Sequence, residues 1–180
     1  MTARISAAQP PFPQAVEDRL GKRMKGRPSL VLFTTLARDP RLFERFFVGG
    51  MLDRGNLTMR TREIVIDRIC ALSKSEYEWG VHVTFFAERV GLTEEQIVST
   101  VKGGAADSCW NAGEKALIAA CDQLHETSDM DDATWANLKA HFSEEAILEI
   151  LMLAGKYKMV SFLTNALRLP LEDAARRFPL

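Results

Sequence analysis

The chain has 180 residues, 47% of them hydrophobic and 26% charged, with a net charge of −1. That length suits one domain with a full core, and the near-neutral balance excludes an electrostatic case for nucleic acid or an anionic membrane as partner. No run approaches the ~20 uninterrupted apolar residues of a membrane span, and the three cysteines Cys70, Cys109 and Cys121 are too few and too scattered for a disulfide framework or a zinc site.

Residues 1–13 contain Pro10, Pro11 and Pro13 and read as an arm laid on the surface or on a neighbour. They lack the layout of a signal peptide, so the expected compartment is the cytoplasm. Residues 14–180 are predicted to form the single domain. A short amphipathic helix is expected over Gln14–Met24, broken by Arg27-Pro28-Ser29 before a second over Leu30–Ala37. Asp39-Pro40 joins an N-cap acceptor to a proline at the first helical position. The helix it opens carries Leu42, Phe43, Phe46, Phe47 and Met51 and is expected to stop near Gly55. The next, Thr58–Leu72, sets Glu63, Asp67 and Cys70 at i, i+4 and i+7, a stripe that interrupts an apolar surface.

The central helix follows, reaching Val90 and ending at Gly91 as a left-handed cap. Its core is Ser75-Glu-Tyr-Glu78-Trp-Gly-Val-His82. Tyr77, Trp79, Val81, Val83, Phe85 and Phe86 make it apolar on nearly every side, which predicts burial. Ser75, Glu78 and His82 lie within roughly 60° of one another on the helical wheel. Glu78 and His82 are an i, i+4 pair, close enough to share a proton. A buried carboxylate and imidazole are costly. Catalysis is one reason for them, and a satisfied core histidine is the other. Ser75-x-x-Glu78 also reads as a capping box, which would turn Glu78 back toward the helix start.

Thr93-Glu-Glu-Gln96 opens a short helix to Val101. Lys102–Cys109 is a loop, read as the longest connection after the arm. Asn111-Ala-Gly-Glu114 starts a helix through Leu117, Ile118, Cys121 and Leu124. Asp131 and Asp132 cap one that carries Trp135, Leu138 and Phe142. Ser143 opens the last long helix, through Ile147, Leu151, Tyr157, Val160 and Leu163, with Pro170 marking its end. No alternating pattern exceeds a few residues, so the predicted fold class is all-α.

With the helices placed, Arg60-x-Arg62-Glu63, Tyr77-Glu78-Trp79-x-x-His82 and Gly91-Leu92-Thr93-x-Glu95-x-Ile97 together resemble the carboxymuconolactone decarboxylase and AhpD-like family. Glu114–Leu124, Asp132-Ala-Thr-Trp135, and Gly155-Lys-Tyr157-Lys-Met159 with Asn165 are similar to the branch of this chain's length. The resemblance implies an AhpD-like helical bundle, assembled as a homo-oligomer (trimer or hexamer) and acting on a small-molecule substrate. The nearly all-apolar central helix points the same way, since a small subunit has little room to bury every face alone.

Thiol peroxidase members of the family carry a glutamate followed by Cys-x-x-Cys-x-x-x-His. Glu63 and His82 stand at the two ends of that pattern, but Ser75 and Glu78 stand where its cysteines would be. Peroxide reduction through a disulfide needs a thiolate and a resolving thiol. The resemblance therefore implies the decarboxylase side: cofactor-free acid–base chemistry on a small organic acid or lactone, with no metal. In that reading His82 is the general acid/base, Glu78 tunes it and Glu63 completes the relay. Ser75, Tyr157 and Arg89 are the candidate substrate contacts, Arg89 as a carboxylate anchor two turns beyond His82. Two alternatives stay open: an AhpD-like antioxidant using Cys70, and a non-catalytic binding or scaffold protein on the same fold.

Overall fold

The computed structural model describes residues 3–180. Among these the chain forms only helices, in the order α1 (Gln14–Met24), α2 (Val31–Leu36), α3 (Pro40–Val48), α4 (Met59–Leu72), α5 (Glu76–Phe86), α6 (Glu94–Lys102), α7 (Ala112–Thr127), α8 (Asp132–Lys139) and α9 (Glu144–Ala166). A 3-10 turn, Glu88–Val90, follows α5. The all-α expectation holds. No helix among the described residues is long and apolar enough to cross a membrane.

Local chemistry starts most of these helices. Asp39 accepts from the backbone N–H groups of Arg41 and Leu42, and Thr58, Asp131 and Ser143 each cap the helix that follows. Reciprocal capping boxes form at Thr93/Gln96 and Asn111/Glu114. Three expectations need correction. Helix α3 ends at Val48, short of Met51, where Gly49-Gly50 costs helix propensity and Met51 turns to φ 55°. The connection 49–58 is then longer than 103–111. Helix α5 stops at Phe86, so Arg89 lies in the 3-10 turn that leads to Gly91 at φ 65°.

Helix α4 is the axis of the molecule. It packs against α5, α6, α7 and α9, and every residue from Arg62 to Cys70 is buried. A helix with no wet side needs a partner for each polar group it carries. Arg68 makes a two-pronged bond to Asp122 of α7, at 2.6 and 3.0 Å, and donates to the carbonyls of Thr100 and Gly103. Glu63 and Asp67 point the other way, toward α5.

The N-terminal arm lies on its own chain: Arg4 N–H donates to the Leu167 carbonyl and Ala8 N–H to that of Thr34. A second strap has no periodic signature in the sequence. Beyond α9 the chain returns along α5, where Glu172 accepts from the Tyr77 hydroxyl and from Val31 N–H. Arg176 N–H then donates to Thr84 and Phe178 N–H to Glu76, and the Phe178 ring sits 5.1 Å from that of Trp79. Gly80 makes this possible. A Cβ there would lie 2.2 Å from the Arg176 carbonyl oxygen. Residues Tyr77–Val83 are thereby buried within one chain, while Phe85 and Phe86 at the end of α5 stay half-exposed.

Candidate active site

Where α4, α5 and α9 cross, each contributes to one buried polar cluster. His82 of α5 faces Glu63 of α4 through Nδ1, at 2.6 Å from Oε2. Its other nitrogen, Nε2, is 3.1 Å from the Tyr157 hydroxyl of α9 and 3.5 Å from Glu78 Oε1. Both imidazole edges are therefore engaged, and the ring is fixed. Glu63 and His82 are only 1% and 4% exposed, so this pair sits in a medium where charge interactions are strong.

The tightest partner of His82 is thus Glu63, not the i, i+4 neighbour Glu78. Arg62 Nε lies 3.4 Å from Glu63 Oε1 and its Nη1 reaches the Leu52 and Asp53 carbonyls, joining the 49–58 loop to the acid–base pair. Arg60 turns elsewhere, to Glu114 at 2.7 Å. Burial alone would lower the imidazole pKa, but the Glu63 charge and hydrogen bond, with help from Glu78, outweigh it and raise it to about 10. At neutral pH His82 is an imidazolium, a proton donor.

The remaining candidates divide by position. Ser75 occupies the N-cap position of α5 but its side chain caps nothing. Its hydroxyl is bonded to that of Thr164 at 2.8 Å inside the core. Ser75 therefore does not meet the substrate-contact expectation, because φ −89° and ψ 76° take it off the helical face that carries Glu78. With no capping box, Glu78 is free of the helix start, and its Oε2 is buried without a hydrogen-bond partner among the described residues. Asp67 belongs to the α4 stripe of Glu63, Asp67 and Cys70. It is buried beside this cluster, and desolvation, reinforced by the Glu63 charge, pushes its pKa well up despite the opposing charge of His82. Its Oδ1 also lacks a partner.

A cavity of about 570 Å³ opens onto the cluster, and Glu78, His82, Tyr157 and Arg89 line it. Its apolar wall is a collar of phenylalanines, Phe33, Phe46, Phe47, Phe85 and Phe86, drawn from α2, α3 and α5. Its rim is basic. Lys22, Arg23, Lys25, Arg27, Arg89 and Lys156 all border it, against the carboxylates of Asp53 and Glu78. None of the six cations forms an ion pair with a described residue; Arg27 stacks over Phe85, and Lys156 donates to the Phe46 carbonyl at 2.9 Å. Burial lowers the Lys156 pKa. Sequence reasoning missed Lys156, Arg23 and Arg27. The only local sign was Lys156 beside Tyr157 in the segment 155–159. Cys70 is fully buried, does not line the cavity, and has its thiol pKa pushed well up by burial and by the nearby carboxylates. Among the described residues no three of histidine, cysteine, aspartate and glutamate are set to hold a metal ion.

Residues 40–122, which include Glu63, Glu78 and His82, match the carboxymuconolactone decarboxylase family. Over that span the chain is similar to this family. No curated protein matches it in sequence. Solved structures do match in fold over nearly the whole length. The apo debrominase Bmp8 superposes with a TM-score of 0.77 at 16% identity, covering 97% of this chain and 95% of that one. An uncharacterized peroxidase-related protein from Silicibacter sp. TM1040 gives 0.80 at 15% identity, over 94% and 93% of the two chains. An alkylhydroperoxidase AhpD core protein from Ralstonia eutropha JMP134 gives 0.75 at 18%, over 96% and 95%. The chain thus has an AhpD-like fold.

Proposed function

We propose that the protein is an enzyme of the decarboxylase type, acting without a bound cofactor on a small, largely apolar organic acid or lactone. The observation that carries this reading is the imidazole clamped at Nδ1 by Glu63, with its Nε2 edge turned to a cavity that has a basic rim. The rim favours an anion, and the phenylalanine collar favours an apolar body. The pair behind them favours proton delivery.

Loss of carbon dioxide breaks a C–C bond and leaves its electron pair on the substrate as an enolate. The His82 Nε2–H supplies the proton that quenches this carbanion, and the neutral imidazole recovers its proton from water. Glu63 holds the ring in the charged form, while Glu78 and Tyr157 orient the donating edge. Arg89 at the rim is a point of attachment for a second carboxylate.

An antioxidant role resting on Cys70 has less support, because a buried thiol with a raised pKa is a poor nucleophile. A passive scaffold does not account for an open cavity that ends on a charged histidine.

The test uses a panel of β-keto acids and carboxylated lactones in D2O. Wild type is expected to release carbon dioxide and place deuterium on the adjacent carbon. His82→Gln should lose about 10²–10⁴-fold in rate while keeping its helical circular dichroism. Full activity in both His82→Gln and Glu63→Gln would overturn the assignment.

A further inference from the structure

Helix α9 is apolar on the side that faces solvent as well as on the side that faces the core. Leu148 is 62% exposed, Met152 64%, Met159 40% and Phe162 61%. With the exposed Gly155 they step along the 23-residue helix by four, three, four and three residues. That is the spacing of a seam between two helices. The four side chains expose on the order of 500 Å² of contiguous apolar surface, the scale at which a patch marks an interaction site.

The stripe reads nearly alike from both ends. Gly155 is its centre, with Leu148 and Phe162 seven positions to either side and Met152 and Met159 three and four positions away. A Cβ added at Gly155 would meet no atom within 4 Å, so another backbone can approach there. An antiparallel crossing at this glycine sets Leu148 against Phe162 of a second copy, and Met152 against its Met159. Charge agrees with this arrangement. Exposed Glu145 lies at the start of α9 and exposed Arg168 just beyond its end, neither ion-paired to a described residue. Antiparallel pairing brings each acidic start beside a basic end, with the helix dipoles opposed.

We propose that the outer stripe of α9 is a two-fold interface between two copies of this chain, crossing at Gly155. It is isologous, each residue meeting its counterpart's mirror in the stripe. Lys156, Tyr157 and Val160 of the same helix line the cavity, so the contact also braces one wall of the site.

Sedimentation velocity on the full chain is expected to give a dimer, or an even-numbered assembly containing it, at about 0.1 mM. Gly155→Cys should form a disulfide-linked dimer on mild oxidation, against a wild-type control for the native cysteines. Leu148→Cys and Phe162→Cys should cross-link when mixed and poorly when alone. Met152→Lys with Phe162→Lys should yield a monomer that keeps its circular dichroism and melting transition. A wild-type monomer, a trimer, a larger assembly in which Gly155→Cys stays uncross-linked, or an oligomer that persists in the double variant would each overturn the proposal. So would a monomer that instead partitions onto anionic vesicles.

Discussion

His82 and Glu63 form a buried pair whose proton affinity differs between folded and unfolded chains, and this makes stability depend on pH. The folded imidazole titrates at about 10 and the unfolded one near 6.5. A raised pKa contributes stability that is fully present below about pH 6.5 and is lost as pH climbs through about 10. Melting curves from pH 6 to 10.5 are therefore expected to show a wild-type decline of roughly a few kcal/mol that His82→Gln lacks. Glu63→Gln should behave differently, leaving a buried imidazolium with only the more distant Glu78 as counter-charge. A loss of about 3–5 kcal/mol in urea unfolding is expected, with the His82 pKa falling below its wild-type value when followed by NMR. Glu78→Gln, removing the more distant carboxylate, should cost less stability than Glu63→Gln. Residue identity was legible here, since helical spacing alone joined Glu78 to His82. Residue roles were less so: the 2.6 Å contact spans 19 positions and arises where two helices cross, which no local period encodes.

At the scale of single elements, what was legible was what is local. Capping at Asp39, Thr58, Thr93, Asn111, Asp131 and Ser143 follows from a side chain reaching backbone N–H groups two or three residues on. Ser75 carried the same signature and failed, because its hydroxyl found Thr164, 89 positions away. Glycine was legible as a helix breaker but not as an enabler. Gly80 stands in the middle of α5 at a cost in helix propensity, which its close approach to the strap accounts for. Gly80→Ala would gain propensity in isolation, yet here it should lose about 1–3 kcal/mol by displacing the Arg176 carbonyl. Thermal melting checks the sign. If the strap yields instead, amide exchange at Phe178 should quicken while α5 itself stays protected.

The whole molecule is legible as all-α because no segment alternates as a strand does and helix starts are signalled locally, even though α5 and α9 are apolar on nearly every side. Its electrostatics were concealed. A net charge of −1 averages away six cations gathered at one cavity mouth, which come from α1, the segment after it, the turn after α5, and α9. Their convergence is a property of the tertiary path. Replacing Arg23 and Arg27 by glutamate is expected to raise KM for an anionic substrate severalfold with kcat little changed, since both line the cavity without a hydrogen bond to Glu63, Glu78, His82 or Tyr157. Raising the salt concentration should narrow the difference from wild type, because exposed charges separated by more than about 10 Å are screened at 0.1 M. A kcat loss equal to the KM effect would show that these arginines act on the reaction itself.

The strap over α5 also has a meaning in time. Glu172 follows Tyr77 by 95 positions and Phe178 follows Glu76 by 102, so a ribosome makes the helix long before it makes its cover. In that interval the side of Tyr77 and Trp79 that the strap covers stays open to water, on a nascent chain otherwise able to start folding. Holdase chaperones should favour translation intermediates arrested before Glu172 over those released after Phe178.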